Sequence, residues 1–325
     1  MANRFTVAIL GDIHYAGPME QKTGDNYDFA LIRNPLIRCP LQTLRNFAWL
    51  KNPTRQNRQL DRFFADVGEP DYVVANGDLG CDCSSLGLAD DATRESARDC
   101  LNQLQARFGK RLHLTIGDHE LGKLSLLGER GGLRLESWRR AIEELGIKPG
   151  WKVEVGNYAL IGITSTLVAL PAYERDVLPM EGDGWQQLRA THLEEIRAIF
   201  DSLESHQRML LFCHDPTALP YLWRESSVRR KLDQIEQTMI GHLHSKLIFW
   251  KSRLLAGMPV IRFLGGNVQR MTTALNEARK WREFRARLCP ALAGIELLND
   301  GGFLTAELDP AARAPIQFRL HPLPR

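Results

Sequence analysis

Five short motifs stand in order along this chain: Gly11-Asp12-Ile13-His14, Asn76-Gly77-Asp78, Gly117-Asp118-His119-Glu120, Cys213-His214-Asp215 and Gly241-His242-Leu243-His244. Each joins aspartate or histidine to a glycine or to a preceding apolar run. Four follow runs that read as buried strands, Phe5-Leu10, Tyr72-Ala75, Leu112-Ile116 and Met209-Phe212, and the fifth follows the shorter Thr238-Ile240. Strands of this kind alternate with helical patterns, which predicts an α/β fold. Ligands at the ends of parallel strands converge in space although they are far apart in sequence. Five of the nine histidines fall inside these motifs, so the pattern is chemical as well as architectural.

The set resembles the calcineurin-like metallophosphoesterase superfamily, whose pattern is D-x-H, G-D, G-N-H-[DE], H and G-H-x-H. The match runs from Asp12 to His244. A single motif has an ordinary structural reading, as a capping aspartate or a core histidine; five in order do not. The resemblance implies a two-sheet β-sandwich flanked by helices, in four layers α/β/β/α, with two divalent metal ions (Mn²⁺, Fe²⁺/Fe³⁺ or Zn²⁺) at the carboxyl ends of the central strands. One ion would take Asp12, His14 and His244. The other would take Asp118, His214 and His242, and Asp78 would bridge them. Asp12 and His14 are two apart at a strand end, which predicts that both side chains point the same way, and the same holds for His242 and His244. Such a pair of ions lowers the pKa of a water held between them and neutralises charge on phosphoryl oxygens. His119 would stand beside the ions, unligated, and assist the leaving oxygen.

The chain departs from the family pattern in two places. Asp118 stands where the family usually has asparagine, which adds a negative charge to the site. That charge predicts tighter binding of a hard cation, repulsion of an anionic substrate and a less acidic bridging water. Asp118→Asn is therefore expected to lower the pH optimum. In phosphoprotein phosphatases a carboxylate three positions after the bridging aspartate orients the histidine. Here that position is Cys81; Asp82 and Glu120 could substitute, but each reads first as a structural residue.

A chain of 325 residues with 44% hydrophobic and 25% charged residues reads as an ordinary globular protein, expected to form a single domain. The net charge of +3 does not point to nucleic acid. No apolar segment precedes the first strand, and none is long enough to span a bilayer, so a cytoplasmic protein is expected. The six cysteines include no C-x-x-C, and free thiols are expected rather than disulfides or a zinc ribbon.

Ala89-Phe108, Glu136-Leu145 and His192-Leu203 read as helices. Trp151-Val155 and Tyr158-Thr164 read as a strand pair. After His244, the runs Arg253-Leu255, Val260-Leu264, Ile295-Leu298 and Phe303-Glu307 predict a β-rich tail. Two basic, aromatic segments exceed what a core needs. One is an insertion at 33–62, with Arg33, Arg38, Arg45, Lys51, Arg55, Arg58 and Arg62 beside Leu44, Phe47, Trp49 and Leu50. The other, Met271-Leu288, opens a helical and β extension over about 270–325 and carries Trp281 and Phe284. They read either as solvated helices packed by their apolar sides or as a cap over an anionic substrate or the inner membrane face.

Gly77-Asp78-Leu79-Gly80 lacks the D-R-G that phosphoprotein phosphatases add, which argues against a protein phosphatase. The nearly balanced charge argues against a nuclease. The resemblance then implies hydrolysis of phosphodiester or pyrophosphate bonds in a small phosphorylated substrate: a nucleotide, a nucleotide-sugar or a lipid-linked compound. A UDP-diacylglucosamine pyrophosphatase is one specific candidate. A phosphomonoesterase, or a metal-free scaffold of the same fold, are the alternatives. No G-x-x-x-x-G-K loop supports an ATPase.

Overall fold

A computed structural model describes residues 4–30, 32–125, 130–263 and 266–323. Among the described residues, ten strands form two five-stranded sheets. The first sheet has the order β10-β9-β1-β2-β3, from Gln317–Pro322, Gly302–Leu308, Phe5–Leu10, Tyr72–Asn76 and Leu112–Thr115. The second has the order β4-β5-β6-β7-β8, from Gly150–Val155, Tyr158–Ile163, Arg208–Cys213, Ile235–Ile240 and Ala286–Leu288. β1, β2 and β3 run parallel, as do β5 through β8, while β4, β9 and β10 are antiparallel additions.

Strand alternation builds the layers. Val7 and Ile9 of β1 enter a core with Val74, Leu160, Leu210, Phe212 and Met239, between the two sheets. Ala8 and Leu10, on the other face, pack with Leu60, Phe63, Leu101 and Leu104 from the helices Arg58–Asp66 and Asp91–Phe108. Ile161 and Leu211 meet Trp185, Ile196 and Phe200 of the helix Gly182–Asp201 on the opposite outer face. Both faces of these central strands are covered, which is why they read as continuous apolar runs. The four-layer sandwich follows.

The tail differs from its sequence reading. Arg253-Leu255 is not a strand: Lys246–Leu254 is a helix, started by Ser245, whose hydroxyl accepts from the Leu247 N–H at 3.1 Å. This N-cap, with Leu247, Trp250 and Leu254 at helical spacing, is the signal that the apolar run concealed. Residues 260–263 form no strand, and Leu264 lies outside the described residues. Ile295-Leu298 is a turn, held by the Ile295 N–H to Asp300 Oδ1 at 2.8 Å. Two edge strands, the three-residue β8 and the six-residue β10, were not expected.

The two basic segments part company. In the helix Pro35–Leu44 and the π-turn Arg45–Trp49 no residue is buried, and Leu36, Ile37, Leu44 and Phe47 are more than half exposed. Arg45 is anchored beneath, donating to the Asp25 carbonyl at 2.6 Å and lying over the Phe29 ring. Met271-Leu288 behaves otherwise: Trp281 and Phe284 are buried, so it presents no aromatic surface from those two rings.

Candidate metal centre

The predicted ligands lie just past the carboxyl ends of β1, β2, β3, β6 and β7. Asp12, His14, Asp78, His242 and His244 all adopt left-handed backbone, with φ between 49° and 59°. Non-glycine residues seldom do this, and here the strain is concentrated where the side chains must converge. Strand alternation was the expected reason that Asp12 and His14 point together. The structure corrects it: these residues have left the strand, and left-handed turns aim them. Gly77, at φ 83°, sits so close to the His214 ring and to Gly117 that a Cβ would collide with both. Gly117 in turn has no room for a Cβ against the Asp78 carboxylate.

All seven predicted ligands come together, in two groups. Asp78, Asp118, His214 and His242 place donor atoms within 4.8 Å of one another, and so do Asp12, His14 and His244. Asp78 also reaches His14 and His119 in a third such group, so it lies between the two seats. His214 Nδ1 lies 2.6 Å from the Asn76 carbonyl, which can only accept, so Nδ1 carries the proton. Its Nε2 then faces Asp78 Oδ2 and Asp118 Oδ1, each at 3.1 Å. His242 Nδ1 stands 2.9 Å from Asp118 Oδ1, and His244 Nε2 stands 3.4 Å from Asp12 Oδ1.

The donor set fits two dications. Asp12 Oδ2 and His14 Nε2 are buried with no hydrogen-bond partner. Burial holds His14 well below the ordinary histidine range, with its lone pair free. Burial pushes His214 and His242 down, but the carboxylates around them win and hold both above the usual range. Burial and Asp118 push Asp78 up, yet His214 and His119 outweigh them and keep it below the usual range. Positive charge is thus drawn to the point where Asp78 and Asp118 meet His214 and His242, while burial holds His244, like His14, below the usual range and leaves both imidazoles neutral for an ion. Mixed carboxylate and imidazole donors suit Mn²⁺, iron or Zn²⁺.

His119 closes the group. Its ring is 4.5 Å from that of His14, and its Nε2 is 3.9 Å from Asp78 Oδ2. Its Nδ1 donates to the Cys81 carbonyl at 3.0 Å. Neither Asp82 nor Glu120 orients it; the residue that stands in place of the expected carboxylate does so through its backbone. Burial, with Lys123 nearby, holds His119 down at about 4. Glu120 instead clamps the main chain under the site, accepting from Gly117 N at 2.8 Å, Asp78 N at 3.0 Å and Leu79 N at 2.7 Å. Asp82 accepts from Gly87 N at 3.0 Å.

Two further residues complete the site. Lys123 Nζ lies 2.7 Å from Asp118 Oδ2, and the carboxylates of Asp118 and Asp78 keep the lysine charged despite burial. The extra charge of Asp118 is therefore met within the protein. Nothing in the G-D-H-E motif announces this lysine, which follows a turn at Gly122. Trp49, at the end of the exposed insertion, stands 5.3 Å from the His244 ring.

The sequence profile of calcineurin-like phosphoesterases matches residues 5–246. No functionally curated protein matches the chain. Among solved structures, a dimetal phosphatase from Danio rerio is similar over 97% of this chain and 95% of its own, at 14% identity and a TM-score of 0.46. The phosphopantetheinyl hydrolase of Mycobacterium tuberculosis covers 75% of this chain and 84% of its own, at 14% identity and 0.35. A metallophosphoesterase from Sphaerobacter thermophilus covers 98% and 88%, at 10% identity and 0.33. With the profile spanning most of the chain and both ligand groups assembled at the strand ends, this protein belongs to the calcineurin-like phosphoesterase family, metal-dependent hydrolases of phosphoesters.

Proposed function

We propose that the chain cleaves phosphodiester or diphosphate bonds in a substrate that extends beyond its phosphate into a ring or apolar group. The observation that carries this is Trp49, 40% exposed and 5.3 Å from His244, an aromatic platform at the rim of the site. A small monoester would leave it unused. A base or a hydrophobic group on the far side of the cleaved bond would stack there, for roughly 1–3 kcal/mol.

The residues divide the work. Asp12, His14 and His244 would hold one ion, Asp118, His214 and His242 the other, and Asp78 both. When bound, the ions supply an activated water and offset charge on the phosphoryl oxygens. Glu120 fixes the backbone of Asp78 and Gly117. His119, with its proton on Nδ1, turns a bare Nε2 toward the site. It takes up a proton only when an anionic phosphoryl group raises its basicity, and then passes it to the leaving oxygen.

Hydrolysis of bis(p-nitrophenyl) phosphate against p-nitrophenyl phosphate tests the reading, with added Mn²⁺ and Asp78→Ala as the blank. Faster diester cleavage that vanishes in the blank supports it. Preference for the monoester points to a phosphomonoesterase. No turnover of either, nor of a lipid-linked nucleotide diphosphate, points to a scaffold.

A second reading adds a membrane. Leu36, Ile37 and Phe47 are exposed on the insertion, and Trp250 and Leu254 on the helix Lys246–Leu254, with Arg38 and Lys251 among them. Such a basic, apolar surface suits anionic lipid, and with it a lipid-linked diphosphate such as UDP-diacylglucosamine. No helix among the described residues is long and apolar enough to cross a membrane. Co-sedimentation with phosphatidylglycerol vesicles, but not with phosphatidylcholine, is the expected result, and Phe47→Ser with Leu36→Ser abolishes it. Equal sedimentation of the variant would dismiss the surface.

A further inference from the structure

The loop that follows β2 holds a second group of ligating atoms. Asp82 has left-handed backbone at φ 54°, which turns Cys81 and Cys83 to the same side. Their sulfurs stand 3.7 Å apart. Glu20, on the helix Pro18–Thr23, completes the group, each ligand atom within 4.8 Å of the others and all three residues buried. We propose that Cys81, Cys83 and Glu20 form a cation site of their own, selective for a thiophilic dication such as Zn²⁺ and separate from the aspartate–histidine centre.

Four observations support it. Two thiolates bound at about 2.3 Å in tetrahedral geometry stand about 3.8 Å apart, close to the separation present. A disulfide would need the sulfurs at about 2 Å, and all six cysteines are free thiols. Glu20 is 1% exposed; its Oε1 accepts from the Cys83 N–H at 2.7 Å, but its Oε2 has no hydrogen-bond partner. A buried carboxylate oxygen without a donor is costly unless a cation meets it. Lastly, the other buried thiols, Cys100, Cys213 and Cys289, pack in the two main cores, whereas Cys81 and Cys83 form a small cluster with only Ala16 and, beside it, Tyr27. The Tyr27 hydroxyl, 3.9 Å from Cys81 Sγ, is placed to supply an oxygen as fourth ligand. A cavity of about 390 Å³ lined by Glu20, Tyr27, Cys83 and Arg130 gives an ion its entry.

Without the ion, Cys83 donates its S–H to Cys81, and this contact, with burial, pushes the Cys83 thiol up. Loading therefore replaces thiol protons by the dication and releases them to solvent. The seat lies behind the catalytic side: the carbonyl that holds His119 belongs to Cys81. An ion on the Cys81 thiolate would fix the loop from which His119 is aimed.

Cobalt titration of the metal-free protein tests the site independently of the phosphoesterase reading, because the aspartate–histidine centre contains no sulfur. The expected result is a near-ultraviolet thiolate-to-cobalt charge-transfer band that reaches the intensity of one thiolate-bound cobalt per chain within three added equivalents, the other two filling the aspartate–histidine centre, and that is displaced by Zn²⁺. It should be lost in Cys83→Ser and kept in Cys39→Ser, which alters an exposed thiol. Absence of the band in the natural protein, or its persistence in Cys83→Ser, would overturn the proposal. Should Cys83→Ser fail to fold, X-ray absorption of the zinc-loaded natural protein decides. Sulfur scatterers at about 2.3 Å are expected, and a shell of nitrogen and oxygen alone would overturn the site.

Discussion

Replacing Lys123 by methionine should make the metal-free protein less stable and its response to metal larger. Lys123 Nζ and Asp118 Oδ2 are 2.7 Å apart, with the lysine side chain 25% exposed and the carboxylate 2%. At that distance the gross attraction is about 6 kcal/mol for an effective dielectric of 20. Desolvation of both groups offsets much of it. Removing only the cation, however, leaves Asp118 Oδ2 without its charge partner and close to Asp78, although His214 and His242 still face Oδ1, and breaking a buried pair in this way costs ~3–5 kcal/mol. Partial exposure of the lysine puts the estimate at the low end, about 3 kcal/mol. For 325 residues the unfolding entropy converts this to a Tm lower by about 4 °C. Mn²⁺ then binds a more negative site, so the rise in Tm on adding Mn²⁺ should exceed that of the natural protein. Scanning calorimetry with and without Mn²⁺ reads both quantities. Equal Tm values without metal, together with equal shifts on adding it, would refute the claim that Lys123 balances Asp118.

Other predictions follow from the same geometry. Asp118→Asn leaves Lys123 unopposed beside the ions and should lower the pH optimum of diester cleavage; adding Lys123→Met should move it back, and an optimum indifferent to both changes would exclude Asp118 from the site. His119 is held at about 4 when folded but titrates near 6.5 when unfolded, so below pH 6.5 the unfolded chain binds a proton that the folded chain refuses. Its contribution, about 3 kcal/mol, is present above pH 6.5 and lost as pH falls toward 4; His119→Asn should flatten that part of the Tm–pH curve, and an unchanged slope would contradict the assignment. Glu120→Ala strands three buried N–H groups and should cost at least 3 kcal/mol in urea unfolding while impairing turnover, whereas a loss below 1 kcal/mol would show that the clamp is unimportant. Trp49→Ala should raise KM roughly tenfold for a nucleotide diphosphate and leave kcat nearly unchanged, and equal KM values would remove the aromatic platform from the substrate path.

The central strands and the site were legible because one constraint wrote both. A parallel strand covered on two faces must be apolar along its length, and a ligand at its end must be polar, so Phe5–Leu10 followed by Asp12 marks element and function together. What stayed hidden depended on backbone or on distant partners. The carbonyl of Cys81 has no side-chain signature, and the nearby carboxylates of Asp82 and Glu120, which do have one, serve the backbone instead. Lys123 is one lysine among many until the fold sets it on Asp118. The strands β8 and β10 are short or half exposed, without the apolar run that marks a covered strand. Arg253-Leu255 misled for the opposite reason, since Leu254 and Leu255 form an apolar run at the end of an exposed helix.

The most direct test of the central claim is the Mn²⁺ stoichiometry of the protein and of Asp78→Ala, taken by equilibrium dialysis with diester turnover on the same samples. Manganese favours oxygen and imidazole over buried thiols, so it reports the aspartate–histidine centre. Two equivalents with turnover in the natural protein, and fewer than two without turnover in the variant, are predicted. Full stoichiometry and full turnover in Asp78→Ala would contradict a centre in which Asp78 joins two ions.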